Sequence, residues 1–127
     1  MNKSLNQKTA STEDYLEMIY ELSIQDKNFK SVDIANKMNI SRASVSEALK
    51  KLSDKGYIIY EKYKQAQLTE KGLEVAKTIY EKHQVLCSFF KKYLNLSEEE
   101  ASINACRIEH VITENAFIKI KKIMKNI

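Results

Sequence analysis

At 127 residues the chain is long enough for one compact domain or two small ones, but too short for either half to bury a large core, so a small second half is expected to borrow apolar surface from a partner. With 43% hydrophobic and 30% charged residues the composition excludes a disordered chain, and apolar runs no longer than Tyr57–Tyr60 or Val85–Cys87 exclude a membrane span, which needs about 20 residues. The net charge of +4 separates little, but from Lys37 to Lys64 seven basic residues stand against three acidic ones, and that stretch is where a nucleic-acid surface is sought.

There is no proline, and the only glycines are Gly56 and Gly72, so long helices meet few interruptions. Met1 to Ala10 is polar and expected to fray. Ser11 or Thr12 caps a first helix whose opening turn is acidic, Glu13 and Asp14, and whose apolar residues Leu16, Ile19 and Tyr20 keep helical spacing to about Gln25. Ser31 is predicted to cap a short helix through Met38, with Val32, Ile34, Ala35 and Met38 partly inside. Asn39 and Ile40 then make a tight turn. Ser41 caps a helix with Val45, Ala48, Leu49 and Leu52 on one side, closed at Lys55–Gly56 because glycine adopts the left-handed cap without penalty.

Tyr57–Tyr60 and Ala66–Leu68 flank the polar Glu61–Gln65 and predict a two-stranded ribbon. Two helices joined by a tight turn and followed by a ribbon make a winged helix-turn-helix. Thr69 begins a long helix to about Tyr93 with Leu73, Ala76, Tyr80, His83, Cys87 and Phe90 along one side. Ser97 and Glu100 form a capping box for a helix from Glu98 to about Ile112, and Thr113 caps a last amphipathic helix with Phe117, Ile120, Ile123 and Met124. The expected fold is mainly α with a small β-ribbon: a winged helix-turn-helix DNA-binding domain in residues 1–72 and a helical domain in residues 73–127.

Placing Val45, Leu49 and Leu52 inward turns Ala43, Ser46, Glu47 and Lys50 outward at 100° per residue, with Arg42 and Ser44 at the exposed start and Lys51 beside them. Small residues let a helix enter the major groove, while Lys, Arg and Glu reach phosphates or base edges. Lys62 and Lys64 at the ribbon tip fit a wing against the phosphate backbone. An ordinary solvated face explains one such helix as well; the capped helix before it, the tight turn and the ribbon favour double-stranded DNA as the partner.

Cys106, Glu109 and His110 stand at i, i+3 and i+4, a spacing that gathers thiolate, carboxylate and imidazole on one helix face and can fill three positions around a transition metal. A buried cysteine beside a surface Glu–His pair is the alternative. The other histidine, His83, lies on the long helix, and Asp14 with Glu17 forms a carboxylate pair on the first helix, unless those acids are a solvated stripe. Without a secretory signal both cysteines are expected to be reduced and the protein cytoplasmic. No HExxH, CxxC or glycine-rich phosphate loop occurs, so protease, zinc-ribbon and nucleotide sites are unsupported.

Seven segments in order, Thr12–Glu17, Val32–Ala35, Ser41–Ser46, Lys51–Tyr57, Leu68–Gly72, Lys82–His83 and Ala105–His110, make the chain resemble the DtxR/MntR family of metal-dependent transcriptional repressors, in a short form without the SH3-like domain of longer members. The resemblance implies a homodimeric repressor of metal-uptake genes, not an enzyme, that binds a DNA operator when Fe(II) or Mn(II) is bound. It places metal ligands at Asp14, Glu17, His83, Cys106, Glu109 and His110. It also makes 73–127 the metal-binding and dimerisation domain. Manganese sensors of the family usually pair an aspartate at the position of Asp14 with a carboxylate at that of Cys106, and iron sensors pair methionine with cysteine; this chain mixes the two. Cys87 and Ser102 stand where iron-sensor relatives have ligands of an ancillary site.

Apolar residues such as Phe89, Ile108, Val111, Phe117 and Ile120 are available for a dimer surface, with packing inside the monomer as the competing use. Two rival functions remain open at this level: a winged-helix regulator that no metal controls, and a small metalloenzyme.

Overall fold

The computed structural model describes residues 11–25, 28–61 and 65–125. The predicted frayed N-terminus lies outside them, as do Lys62 and Lys64 of the ribbon tip. In chain order the elements are α1 (Thr12–Gln25), α2 (Ser31–Met38), α3 (Arg42–Asp54), β1 (Ile58–Ile59), β2 (Gln67–Leu68), α4 (Glu70–Tyr93), α5 (Glu98–Ile108) and α6 (Glu114–Lys125). Two compact units, Met1–Lys77 and Thr78–Ile127, divide within α4. None of the described helices is long and apolar enough to cross a membrane.

In the first unit, Leu16, Ile19 and Leu22 of α1 share one core with Ile34 of α2, Val45, Leu49 and Leu52 of α3, Ile58 and Phe29. The apolar spacing read from the sequence is therefore the spacing that packs. Ser11 caps α1 reciprocally with Asp14: Asp14 N–H donates to Ser11 Oγ at 3.1 Å and Ser11 N–H to Asp14 Oδ2 at 2.9 Å. At α2 the expected cap moves by one residue. Lys30 is the N-cap, its N–H donating to Asp33 Oδ2 at 2.7 Å, because a carboxylate three residues on satisfies that donor and Ser31 enters the first turn.

Asn39, at φ 56°, takes the left-handed turn between α2 and α3, and Ser41 caps α3 by accepting from Ser44 N–H at 3.1 Å. The other end closes with Gly56 at φ 84°, Tyr57 N–H on Leu52 C=O at 3.0 Å and Gly56 N–H on Ser53 C=O at 3.0 Å, the two bonds of a Schellman cap. β1 and β2 pair antiparallel, Ile58 opposite Leu68 and Ile59 opposite Gln67. This ribbon is shorter than the segments expected to form it. Thr69 Oγ1 ties it to α4 through Gly56 C=O at 2.7 Å and Tyr57 C=O at 3.0 Å, while Gly72 lets the helix pass the Tyr57 carbonyl so closely that any Cβ would collide with it.

In the second unit Leu86, Cys87, Ala101 and Ala105 are buried together, flanked by Phe90, Leu96, Ile108, Ile112 and Ile120. The buried stripe of α4 includes Ile79 and Leu86, which the sequence reading left out, whereas Tyr80 and His83 lie at its edge. The stripe is rotated by a fraction of a residue from the one expected. α5 stops at Ile108, four residues early, because Val111 N–H turns back to Ile108 C=O at 2.9 Å and tightens the chain ahead of the Thr113 cap of α6. Phe117 is buried within this unit and is thus unavailable as dimer surface.

Candidate nucleic-acid interface and metal centre

On α3 the outward residues are those the periodicity named: Arg42, Ala43, Ser44, Ser46, Glu47, Lys50 and Lys51 are all exposed, while Val45 and Leu49 are fully buried. Ala43, Ser46, Glu47 and Lys50 line an open groove of about 730 Å³ together with Ser53, Asp54 and Tyr60. Ser53 and Tyr60 were not singled out from the sequence. Ser53 was legible there, since it continues the 46–50 face by one further turn; Tyr60 was not, because its place depends on the ribbon folding back. Among the described residues, Arg42, Glu47, Lys50 and Lys51 have no ion pair, so the face offers cations and a carboxylate that no intramolecular partner neutralises.

Of the sequence-named metal donors, Asp14 is half-buried at the start of α1 with one oxygen occupied by the Ser11 cap, and Glu17, one turn on, is only 7% exposed. In the second unit the structure brings His83, Glu109 and His110 together. Glu109 is 1% exposed; its Oε1 is 2.8 Å from His83 Nδ1, and His110 Nε2 lies 3.4 Å from its Oε2. With the proton on Nδ1, His83 donates to Glu109 and its Nε2 faces Ser102 Oγ at 3.3 Å, so that hydroxyl can donate to it. An ion taken by either ring nitrogen replaces one of these bonds.

Glu109 Oε2 is buried without a hydrogen-bond partner among the described residues. A buried oxygen in that condition costs about 1–3 kcal/mol unless something else satisfies it, and a divalent cation does so. Carboxylate and imidazole donors suit Mn(II) or Fe(II), and a thiolate adds affinity for the softer of the two. The bland reading, a buried cysteine beside a surface Glu–His pair, is inverted: Cys106 is exposed in the last turn of α5, and the glutamate is the buried member. Glu109 and His110 follow the end of α5 rather than lying within it, yet Glu109 N–H still bonds Ala105 C=O at 2.9 Å and keeps the helical direction. Cys87 is a core residue of the second unit; burial first, and then Glu98, push its thiol above the usual range, against Lys91, and so disfavour the thiolate that binds metals.

Two family models divide nearly the whole chain between them: the iron dependent repressor N-terminal DNA-binding domain matches residues 7–66, and the iron dependent repressor metal-binding and dimerisation domain matches residues 69–127. The chain belongs to the iron dependent repressor family. A helix-turn-helix transcriptional regulator of Methanocaldococcus jannaschii is 40% identical over 117 residues, covering 91% of this chain and 93% of its own. The regulator MntR of Bacillus subtilis is 35% identical over 113 residues, 88% of this chain and 78% of its own. Among solved structures, the manganese regulator SloR superposes with a TM-score of 0.82 at 33% identity, over 93% of this chain and 55% of that one. The chain thus spans about half the length of the solved structures it matches. Members of the family are metal-dependent, DNA-binding transcriptional regulators, and both halves seen here, the winged helix-turn-helix and the helical metal-binding and dimerisation part, are theirs.

Proposed function

We propose that this member is a homodimeric repressor that binds an operator of metal-uptake genes in double-stranded DNA when Fe(II) or Mn(II) is held by Asp14, Glu17, Cys106, Glu109 and His110, with His83 alongside as a ligand or as the partner of Glu109. The observation that carries the reading is the buried Glu109 carboxylate, one oxygen on His83 and the other without a hydrogen-bond partner beside His110. When bound, the ion would supply positive charge against the acidic donors and accept lone pairs from the imidazole nitrogens. Residues 1–72 read DNA through Arg42, Ala43, Ser44, Ser46, Glu47, Lys50 and Lys51, with Lys62 and Lys64 on phosphates; residues 73–127 dimerise.

For the dimer, the second unit offers Tyr93, Leu94, Ile103, Val111, Ile118 and Ile123, large apolar side chains each at least 42% exposed. α1 shares a buried apolar core with α3, so whatever restrains Asp14 and Glu17 also restrains the reading helix. Coupling of this kind is commonly about 1–3 kcal/mol, or roughly 5- to 150-fold in DNA affinity. A metalloenzyme needs an open coordination position and a base beside it, and here each polar group of the cluster is already spent as a ligand or its partner. The test is duplex binding by the purified apoprotein during anaerobic titration with Mn(II) or Fe(II). Equal affinity with and without metal refutes the proposal.

A further inference from the structure

We propose that Glu47 accepts a hydrogen bond from a cytosine amino group and thereby sets one base pair of each operator half-site; this rests on the DNA-binding function proposed above. Glu47 stands in the middle of the exposed face of α3, and Lys50 and Lys51 follow it at i+3 and i+4, the spacing at which helix ion pairs form. Yet Glu47 makes no ion pair with either and no hydrogen bond among the described residues. An unpaired carboxylate on a face built to meet phosphates repels every duplex alike unless it meets a hydrogen-bond donor.

The donors in the major groove are the amino groups of cytosine and adenine. Adenine places its N7 acceptor beside that amino group, which repels a carboxylate, whereas cytosine places carbon there. Cytosine is therefore the base that a carboxylate selects. Ala43 and Ser46, on the same face, are small enough for the helix to approach, and the open groove they line with Glu47 and Lys50 leaves the carboxylate a clear path to a base edge.

The full chain loaded with Mn(II) is used to select duplexes from a random-sequence pool, and fluorescence anisotropy then ranks the four base pairs at each position of the selected site. The wild type is expected to prefer cytosine at one position per half-site by about 5- to 150-fold, the cost typical of one mismatched base pair. Glu47→Ala loses that preference at that position alone and binds an unrelated duplex no more weakly, since it removes a repulsion and no phosphate contact. Glu47→Gln moves the preference to adenine, because an amide both donates to N7 and accepts from the amino group. Thermal melting shows whether each variant is folded, as expected for a change at an exposed residue. The same ranking for wild type and Glu47→Ala at every position overturns the inference alone, as does a uniform loss over all sequences. Failure of the Mn(II)-loaded wild type to retain any duplex overturns the DNA-binding reading and this inference with it.

Discussion

Replacing Glu109 by glutamine separates a carboxylate kept for a cation from one kept for the fold. The substitution is nearly isosteric: the amide oxygen can still accept from His83 Nδ1, 2.8 Å from Oε1, and the amide NH2 takes the place of Oε2, 3.4 Å from His110 Nε2. In the apoprotein it removes a buried oxygen without a hydrogen-bond partner, whose cost is about 1–3 kcal/mol, and supplies a donor toward an imidazole nitrogen. Apo-stability is therefore expected to hold or rise. Metal-induced stability is expected to collapse, because a neutral amide is a far weaker ligand than a carboxylate.

The size of that loss follows from linkage. At a Mn(II) concentration 100 times the wild-type Kd, the wild type gains about 2.7 kcal/mol; a variant whose Kd is 100-fold weaker gains RT ln 2, about 0.4 kcal/mol. For a chain of this length those gains correspond to roughly 10 °C and about 1–2 °C in Tm. The assay is thermal melting with and without Mn(II) at one fixed protein concentration. A Glu109→Gln protein that melts several degrees lower in the apo-form yet keeps the full metal-induced shift would refute the reasoning, since the carboxylate would then serve the hydrogen-bond network alone.

Removal of Lys50 or Lys51 is expected to weaken binding to all duplexes alike and to lower the slope of log K against log salt by about 0.9 for each lost phosphate contact; an unchanged slope places that lysine off the backbone. Iodoacetamide should label the exposed Cys106 well before the buried Cys87, whose thiol is pushed up by burial, and Mn(II) should protect Cys106. Mass spectrometry follows both, and labelling of Cys106 at the same rate with saturating metal removes it from the ligand set. Gly72→Ala should gain about 1 kcal/mol from helix propensity but lose more from the collision with the Tyr57 carbonyl, for a net loss of about 1–3 kcal/mol in urea unfolding. Net stabilisation contradicts the close approach of α4 to the ribbon.

The caps and the inward faces of α1 and α3 were legible because they are local: Ser11, Ser41 and Gly56 act within a few residues, and the spacing of Leu16 to Ile19 or of Val45 to Leu49 has only one helical phase. Where two phases fit about equally, as on α4, the sequence placed Tyr80 rather than Ile79 on the buried side, and only packing with a partner helix decides. The end of α5 was misjudged for a similar reason. Nothing between Glu109 and Thr113 breaks a helix by composition, and the turn of Val111 onto Ile108 is set by the entry into α6. At the candidate metal centre the donor types could be read from spacing and from the family resemblance. The burial of Glu109, the exposure of Cys106 and the Ser102 contact with His83 could not, because each depends on residues 19 or more positions away or on tertiary shape.

The position of Asp14 bears on how a metal signal reaches DNA. Its Oδ2 accepts the Ser11 N–H and so holds the first turn of α1, the turn that carries the carboxylate proposed above as a metal ligand. In the proposed function, ligation there would act on a helix end that is already ordered, rather than ordering a loose segment, so little conformational entropy would be lost in making the contact. From that turn inward, Leu16 and Ile19 are fully buried in the same cluster as Val45 and Leu49 of α3, and a close-packed core transmits displacement instead of absorbing it. Ser11→Ala keeps the backbone donor to Oδ2 but removes the Oγ that accepts the Asp14 N–H at 3.1 Å, which loosens that turn, so it should leave α3 and its exposed face intact while weakening both metal affinity and metal-dependent DNA binding. Metal-free, non-specific DNA binding should be unchanged, because no residue of that face has been altered. A Ser11→Ala protein that keeps wild-type metal affinity shows that the cap does not prepare Asp14 and that its role is confined to the helix.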